Sequence, residues 1–429
     1  MDTIYALSSG SVPSGVAVIR ISGPLAKAAL LALTPRLPEP RQAALRTLRH
    51  PDGSIIDQGL VLWFPGPRSE TGEDMVELQG HGSRAVVQAI FDVLVQHGLR
   101  LAEPGEFIRR AFQNGKLDLT EVEGLADLIA AETEVQRRQA IAQAGGALAK
   151  RAAAWREALL DLRAEIEARL DFSDEGDVAE ALPADFSARF VALAAEMREA
   201  LAGAASGERV RDGFRVAILG LPNAGKSSLL NALSRRDVAI VTDEAGTTRD
   251  VLEVPLDLGG YPILLFDTAG LREARSAAEA EGVRRARRTA ESADLILWLA
   301  DSTLPPEIPP ALPDRPIWRV STKIDLAMTG SSSGIGISVL SGEGLADLME
   351  ELGKAAAESL GSGSALVTRG RQKQAISDAL EALEAIGGEA EEVTADLLRR
   401  ASEAIGRLSG RVDVEDMLDR LFREFCIGK

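Results

Sequence analysis

The chain has 429 residues, of which 45% are hydrophobic and 26% charged, and its net charge is -17. This length allows two or three domains, and the acidic balance excludes a general nucleic-acid binder, which needs concentrated Lys and Arg. The sequence contains no run of about 18 apolar residues, so we predict no membrane-spanning helix. Its first residues lack the layout of a signal peptide. Because it has a single cysteine, an internal disulfide is excluded. We therefore expect a cytoplasmic protein without a membrane partner.

The first region, residues 1–116, mixes strand-like runs with turns. Residues 15–21 and 60–64 are β-branched and apolar, which predicts two buried strands. Residues 85–97 have helical amphipathic periodicity and end before a glycine. His81 lies between two glycines, and we predict a turn there. The region is therefore predicted to be an α+β domain.

Two segments are predicted to be helical. Residues 117–210 carry 10 basic against 19 acidic side chains, and Thr120 followed by Glu123 has the spacing of a capping box. A Gly/Ser linker precedes the second segment, in which residues 371–425 have helical periodicity. Because an α/β region separates the two segments, we expect them to pack together as one discontinuous domain.

The region between them, residues 211–354, alternates strands and helices. Strand-like runs cover residues 215–220, 263–266, 295–300 and 317–321. This alternation predicts a parallel α/β sheet.

The run from Gly220 to Ser227 has the spacing G-x-x-x-x-G-K-S, after a strand and before a helix-like segment. That context is typical of a P-loop, in which Lys226 reaches the outer phosphates and Ser227 ligates Mg²⁺. Asn223 lies inside the loop, where its amide either holds a monovalent cation or stabilises the loop. The motif predicts binding of a nucleoside triphosphate.

Three further motifs follow in order. Thr248, in Gly-Thr-Thr-Arg-Asp, is predicted to ligate Mg²⁺ in switch I, and Asp267, in Asp-Thr-Ala-Gly, to contact Mg²⁺ through water. Gly270 of the second motif is expected to sense the γ-phosphate through its amide. In Thr-Lys-Ile-Asp, the carboxylate of Asp325 can accept both N–H donors of guanine. This contact selects GTP over ATP, and the order of the four motifs at strand ends argues against a coincidental P-loop.

Three positions depart from the usual GTPase pattern. Thr322 replaces the usual Asn of the guanine motif, so we expect guanine preference with weaker affinity. In the last base-contacting loop, residues 338–340, Val-Leu replaces the usual Ala followed by Lys or Arg, which leaves only backbone contacts. Leu271 stands where Ras-like proteins have a water-orienting Gln, so hydrolysis must recruit another residue or a partner.

Several separate strings resemble the MnmE (TrmE) family of tRNA modification GTPases over nearly the whole chain. They are Asp2-Thr3-Ile4, residues 15–23, 71–82, 103–107, 110–119 and 267–273, and the terminal Cys-x-Gly-Lys. The resemblance implies a multidomain protein with an N-terminal α+β folate-binding and dimerisation domain (1–116), a discontinuous helical domain (117–210 and 355–429) and an inserted Ras-like G domain (211–354).

The resemblance also implies a potassium-activated GTPase. The potassium positions correspond to Asn223, Thr242, Glu244 and Thr247, and the water-orienting carboxylate to Glu279. The residues alone do not distinguish Glu279 from a solvated charge on a helix face. Catalysis is thus assigned to Glu279, Asn223 and Lys226. The residues expected to contact GTP are Asn223, Ala224, Gly225, Lys226, Ser227, Ser228, Thr242, Asp243, Glu244, Ala245, Gly246, Thr247, Thr248, Asp267, Thr268, Ala269, Gly270, Thr322, Lys323, Asp325, Ser338, Val339 and Leu340.

In the family a folate, such as 5-formyltetrahydrofolate, supplies a one-carbon unit at the N-terminal domain. Arg20, Glu77, Lys116 and Lys429 match the folate-contacting positions. The alternative for Arg20 and Glu77 is an ordinary pair of surface charges. Cys426 is either a reactive thiol or a half-buried small residue, and the sequence leaves both possibilities open.

The resemblance implies a homodimer that acts with the flavoprotein MnmG on tRNA. GTP hydrolysis would control addition of an aminomethyl or carboxymethylaminomethyl group to carbon 5 of the wobble uridine. The alternative is a regulatory or ribosome-assembly GTPase that acts only as a nucleotide-dependent switch. The N-terminal strings and the terminal Cys-x-Gly-Lys favour the enzyme.

Overall fold

A computed structural model describes residues 2–171, 182–236, 238–240, 252–267, 290–305, 315–326, 334–387, 390–410, 421–423, 425, 427 and 428, with only the backbone of Asp171, Leu252 and Asp267. The chain packs as two units. One consists of Met1–Ala126, Ala144–Asp161 and Arg399–Lys429, and the other of Asp127–Gln143 and Leu162–Leu398. None of the helices in these described residues has both the length and the apolar character needed to cross a membrane.

The first unit contains a six-stranded sheet. Its strands are β1 (Ile4–Leu7), β2 (Ser14–Ser22), β3 (Ala44–Arg49), β4 (Ile55–Phe64), β5 (Met75–Gly82) and β6 (Arg100–Leu101). Their order is β3-β4-β5-β2-β1-β6, and every pair is antiparallel except β1 with β6. The two strands predicted in this region are confirmed within β2 and β4.

Alternation along the strands separates two faces of this sheet. Ile19 and Ile21 of β2 and Leu78 of β5 are buried on one face, where helices α1 (Ala26–Leu33) and α2 (Arg84–Gln96) cover them. The opposite face carries the partly exposed polar side chains of β2 and β5. Helix α3 (Glu106–Gln113) belongs to the same unit, and its Phe107 packs in a small cluster with Ile4 and Met75.

The turn predicted at His81 was wrong. Gly80 and Gly82 stay in the antiparallel ladder, opposite Ala17 and Ser14 of β2, so His81 is part of β5. The glycines are needed for close backbone approach rather than for a turn, because a Cβ at Gly82 would lie 2.1 Å from Oγ of Ser14.

The predicted capping box is displaced by two residues. Helix α4 (Leu119–Ala130) is capped by Asp118, whose Oδ1 accepts the Glu121 N–H at 2.9 Å, while the Asp118 N–H donates to Glu121 Oε2 at 2.8 Å. Thr120 is already inside the helix, and its hydroxyl donates to Asp118 Oδ1 at 2.7 Å. Asp118 is the better cap because its carboxylate accepts both donors.

The second unit contains a six-stranded sheet of the predicted α/β type. Its strands are β7 (Phe214–Gly220), β8 (Leu252–Leu258), β9 (Tyr261–Asp267), β10 (Leu295–Asp301), β11 (Ile317–Thr322) and β12 (Ile335–Gly336). The order is β12-β11-β10-β7-β9-β8, with β8 antiparallel to β9 and all other pairs parallel. Helices α9 (Lys226–Leu233) and α10 (Leu345–Leu360) bury leucines against one face.

Helices from both sides of the α/β region pack together in this unit. They include α5 (Glu134–Ala144), α7 (Phe186–Ala202), α8 (Ala204–Asp212), α11 (Gly370–Glu384) and the first part of α12 (Glu391–Leu408), up to Leu398. Helix α7 packs on α11, and Nε2 of Gln143 in α5 donates to the Leu366 carbonyl at 2.6 Å. The discontinuous arrangement of the helical segments is thus confirmed. The remaining helix, α6 (Ala147–Asp171), starts in the first unit.

Candidate functional site

The P-loop connects the end of β7 to the start of α9. A Cβ at Gly220 would lie 2.4 Å from the Leu299 carbonyl oxygen of β10, so only glycine allows the two strands to approach this closely. Asn223 and Gly225 adopt left-handed φ angles of 65° and 93°. The amide of Asn223 is exposed and has no hydrogen-bond partner among the described residues. The loop therefore presents a polar group beside the N-terminus of α9.

Three polar side chains lie in the first turn of α9, beside the P-loop. Nζ of Lys226 donates to the carbonyls of Gly220 at 2.9 Å and Leu221 at 2.8 Å, which holds the ammonium over the loop. Ser227 and Ser228 are exposed in the first helical turn. Backbone N–H groups and the helix dipole favour an anion at this end.

Thr322, at the end of β11, is linked to the P-loop. It is 2% exposed, and its hydroxyl donates to the Ala224 carbonyl at 2.8 Å. A Cβ at Gly225 would lie 3.8 Å from the Thr322 Cβ, so the side chain also packs on the loop. The hydroxyl thus holds the peptide unit that leads into Gly225.

Asp301, at the end of β10, was missed from the sequence. Its Oδ2 lies 2.5 Å from Nζ of Lys323, and its Oδ1 accepts the hydroxyl of Thr303 at 2.7 Å. The hydrogen bond from Lys323, followed by that from Thr303, lowers the pKa of Asp301 to about 2. An Asp-x-Thr sequence directly after a buried strand was the signal that could have revealed it.

The residues predicted to contact the base have polar groups without partners among the described residues. Asp325 lies in an exposed 3₁₀ turn (Ile324–Leu326), and no described residue pairs with its carboxylate. The Ser338 N–H donates to the Glu343 carbonyl at 2.9 Å, so within residues 338–340 the backbone N–H groups left free among the described residues are those of Val339 and Leu340. The Leu340 side chain is 88% exposed. The N–H groups of Val339 and Leu340 are the backbone donors that this loop presents to a base.

The carboxyl ends of parallel strands bring these residues to one edge of the sheet. Asp267 is the last residue of β9 and pairs with Ile218, two residues before the P-loop starts. The other predicted GTP-site residues, Thr242, Asp243, Glu244, Ala245, Gly246, Thr247, Thr248, Thr268, Ala269, Gly270 and Glu279, lie outside the described residues, as does Leu271.

A second group of predicted residues lies in the first unit. Arg20 and Glu77 face each other in the β2–β5 register, and Nε of Arg20 lies 3.3 Å from Oε2 of Glu77. Arg20 also pairs with Glu70 at 3.1 Å. Glu70 and Gly72 both lie in the connection between β4 and β5. A Cβ at Gly72 would lie 3.3 Å from Cε of Lys116. The structure therefore brings Arg20 and Glu77 together and puts Lys116 beside the adjoining loop.

The last two predicted positions, Cys426 and Lys429, lie outside the described residues. Their neighbour Ile427 forms a β-bridge with Pro104. A Cβ at Gly428 would lie 2.4 Å from the Leu7 carbonyl oxygen. These two residues thus lie against segments of the first unit.

The same unit contains a buried charge network that sequence reasoning did not predict. Arg110 is 5% exposed and donates to Glu73 at 3.1 Å, to Asp2 at 2.7 Å and to Glu106 at 3.0 Å. Arg100 makes further bonds to Asp2 and Glu106. Burial opposes ionisation of Glu106, but the hydrogen bonds from Arg100, the Glu103 N–H and Arg110 lower its pKa from the ordinary value. The network ties the N-terminus to α3.

Two protein-family models together match almost the whole chain. A model of the N-terminus of the GTP-binding protein TrmE matches residues 3–116, and a model of the MnmE helical domain matches residues 119–426. The tRNA modification GTPase MnmE of Rhodopseudomonas palustris strain CGA009 is 51% identical, covering 100% of the chain and 99% of that protein. The chain belongs to the MnmE family of tRNA modification GTPases.

Other MnmE proteins align equally completely. Those of Azorhizobium caulinodans and Rhizobium meliloti are 54% and 52% identical, and each alignment covers 100% of the chain and 99% of the relative. Among solved structures, the G domain of the T. maritima FeoB iron transporter covers 33% of the chain at 26% identity with a TM-score of 0.25, which adds nothing to the assignment.

Proposed function

We propose that the chain is a GTP hydrolase that acts in the cytoplasm on tRNA. With the flavoprotein MnmG it would modify carbon 5 of the wobble uridine, adding an aminomethyl or carboxymethylaminomethyl group. The observation that carries the proposal is sequence identity of 51% and 54%, over the full chain, to relatives named tRNA modification GTPases. The P-loop and guanine-loop geometry supports the GTP part.

The described residues suit GTP and its magnesium ion. Lys226 and the N-terminus of α9 would hold the β- and γ-phosphates, and the exposed hydroxyl of Ser227 would hold Mg²⁺ together with Thr248. The carboxylate of Asp325, which pairs with none of the described residues, would accept the two N–H donors of guanine. Mg²⁺ would neutralise charge that develops on the phosphates.

Hydrolysis would depend on a potassium ion and a switch II carboxylate. Because Leu271 has no polar group, Glu279 would orient the attacking water. The exposed amide of Asn223 suits a cation, and Thr242, Glu244 and Thr247 would complete that site. A monovalent cation there would supply the charge that other GTPases take from an arginine.

The experiment is a comparison of GTP hydrolysis in potassium and sodium buffers of equal ionic strength, without an added activating protein. We expect faster hydrolysis in potassium, and Asn223→Ala should remove that difference while nucleotide binding stays. Equal rates of the unmodified chain in both salts would contradict the potassium proposal. A cation response that survives in Asn223→Ala would move the site elsewhere.

The first unit would bind a folate such as 5-formyltetrahydrofolate and form the homodimer. Glu77 suits the donor edge of a pterin, while Arg20, Lys116 and Lys429 suit carbonyl and carboxylate oxygens. The support is that Arg20 and Glu77 meet on a sheet face that α1 and α2 leave open. The bound folate would supply the one-carbon unit.

A further inference from the structure

His81 and Asp57 form an oriented pair that the proposed function does not use. Nδ1 of His81 lies 2.8 Å from Oδ1 of Asp57, and the His81 backbone N–H donates to Oδ2 at 2.8 Å. The Asp57 side chain is 9% exposed, whereas that of His81 is 74% exposed. Both carboxylate oxygens therefore bond the same histidine, and the ring projects outward.

The pair has a defined tautomer. Burial opposes ionisation of Asp57, but the hydrogen bonds from the His81 backbone and ring, with one from the Gln58 N–H, lower its pKa from the ordinary value. An ionised carboxylate only accepts hydrogen bonds, so Nδ1 of His81 carries a proton. Nε2 is then the ring atom that is left for a ligand.

The backbone is shaped to allow this contact. A Cβ at Gly80 would lie 2.6 Å from Oδ2 of Asp57, so a larger residue at position 80 would push the carboxylate away from the histidine. A surface histidine in an ordinary strand needs no such space. The arrangement thus fixes the direction of the imidazole.

His81 lies in one row with the proposed folate residues. Glu77, Gln79 and His81 alternate along β5 and share one face, so Glu77 and His81 are about 13 Å apart. Nε2 of Gln79 donates to Oε1 of Glu77 at 2.7 Å. Val18 and Leu60 face Gln79 from the two neighbouring strands, so apolar side chains border the row. A flat aromatic ligand with polar ends fits such a strip.

We propose that His81, held by Asp57, is a further ligand-binding residue of this site and contacts the benzoyl-glutamate part of a folate whose pterin lies at Glu77. Because Nδ1 carries the proton, Nε2 of His81 accepts the amide N–H of that tail. Asp57 acts through His81 as a positioning residue. The inference rests on the proposed folate site, because it assigns the other end of the same ligand.

The test is calorimetric titration of the full chain with two probes. One is 5-formyltetrahydrofolate, and the other is a 5-formyl-tetrahydropterin that lacks the benzoyl-glutamate tail. We expect His81→Ala to weaken binding of the first about tenfold, the loss typical of one hydrogen bond, and to leave the second unchanged. His81→Gln, whose amide reaches the place of Nε2, should retain most of the affinity, whereas His81→Asn should not.

His50→Ala is the matched control, since His50 lies in the turn between β3 and β4 and contributes its backbone there. Circular dichroism and thermal melting of each variant report folding. If the unmodified chain binds neither probe, the folate proposal itself fails. If the unmodified chain and a folded His81→Ala bind 5-formyltetrahydrofolate equally, or if both probes weaken together, the assignment of His81 to the tail is contradicted.

Discussion

At the scale of single residues, Thr322 has a different part in nucleotide binding from the one its motif implied. Its hydroxyl is spent on the Ala224 carbonyl, so it is directed at the P-loop and away from a base. In the proposed function, guanine selection would then rest on Asp325. Thr322 instead connects the base-binding end of the sheet with the phosphate-binding loop.

Thr322→Val tests this role, because it removes the hydroxyl and keeps the shape. The Ala224 carbonyl would lose its buried partner at a cost of about 1–3 kcal/mol, so GDP and GTP should both bind roughly tenfold more weakly. The ratio of guanine to xanthine nucleotide affinity should stay the same. Titration with a fluorescent GDP measures both quantities.

Thr322→Ser is the control, since it keeps the donor and should bind GDP nearly as the unmodified chain does. A Thr322→Val chain that binds GDP normally, or one that loses discrimination between guanine and xanthine, would contradict the positioning role.

At the scale of elements, the start of α4 shows how a local signal competes with its neighbours. Thr120 with Glu123 and Asp118 with Glu121 both have the capping-box spacing, and the structure uses the second pair. Asp118 Oδ1 also accepts the Thr120 hydroxyl, so two donors converge on that oxygen while the Asp118 N–H donates to Glu121. Helix α4 therefore begins two residues before the predicted start.

Asp118→Ala should lower the free energy of unfolding by about 0.5–2 kcal/mol, because the first turn of α4 loses its acceptor. Asp118→Asn keeps a side-chain oxygen and should cost much less. Urea denaturation of both variants measures the difference. Equal stability of Asp118→Ala and the unmodified chain would show that the cap contributes nothing.

At the scale of the whole molecule, strands, helices and the nucleotide motifs were predictable because periodicity and short spacings are local. The β-branched runs predicted β2 and β7, and the guanine contact of Asp325 stays a prediction from its motif. Asp301 and Arg110 were not found, since Lys323, which pairs with Asp301, and Glu73, which pairs with Arg110, lie outside the elements that hold them. His81 was wrongly predicted to lie in a turn, because glycines on both sides of a residue also allow close packing of neighbouring strands.

The network around Arg110 makes the stability of the first unit pH-dependent. Asp2 and Glu106 have pKa values below the ordinary 3.8 and 4.5 in the folded chain. Each therefore contributes stability above its ordinary value, and that contribution is lost as the pH falls through the lowered pKa. Urea unfolding between pH 7 and pH 2 should show this loss beginning below about pH 5.

Arg110→Met leaves the largely buried carboxylate of Glu73 without its cation and Glu106 paired with Arg100, so it should cost about 3–5 kcal/mol at pH 7, with a weaker dependence on acid. Arg138→Met is the control, because Arg138 is 65% exposed in an i,i+4 pair with Glu134 and should cost at most about 1 kcal/mol. Similar losses in the two variants would contradict the energetic role of the network.

The central claim, that GTP hydrolysis by this chain serves tRNA modification, is tested most directly by the wobble nucleosides of a strain that lacks the protein. Mass spectrometry of digested tRNA should show loss of 5-aminomethyl-type or 5-carboxymethylaminomethyl-type uridines. The intact gene should restore them, and the P-loop variant Lys226→Ala should not. Unchanged wobble uridines in the deletion strain, or full restoration by Lys226→Ala, would contradict the account.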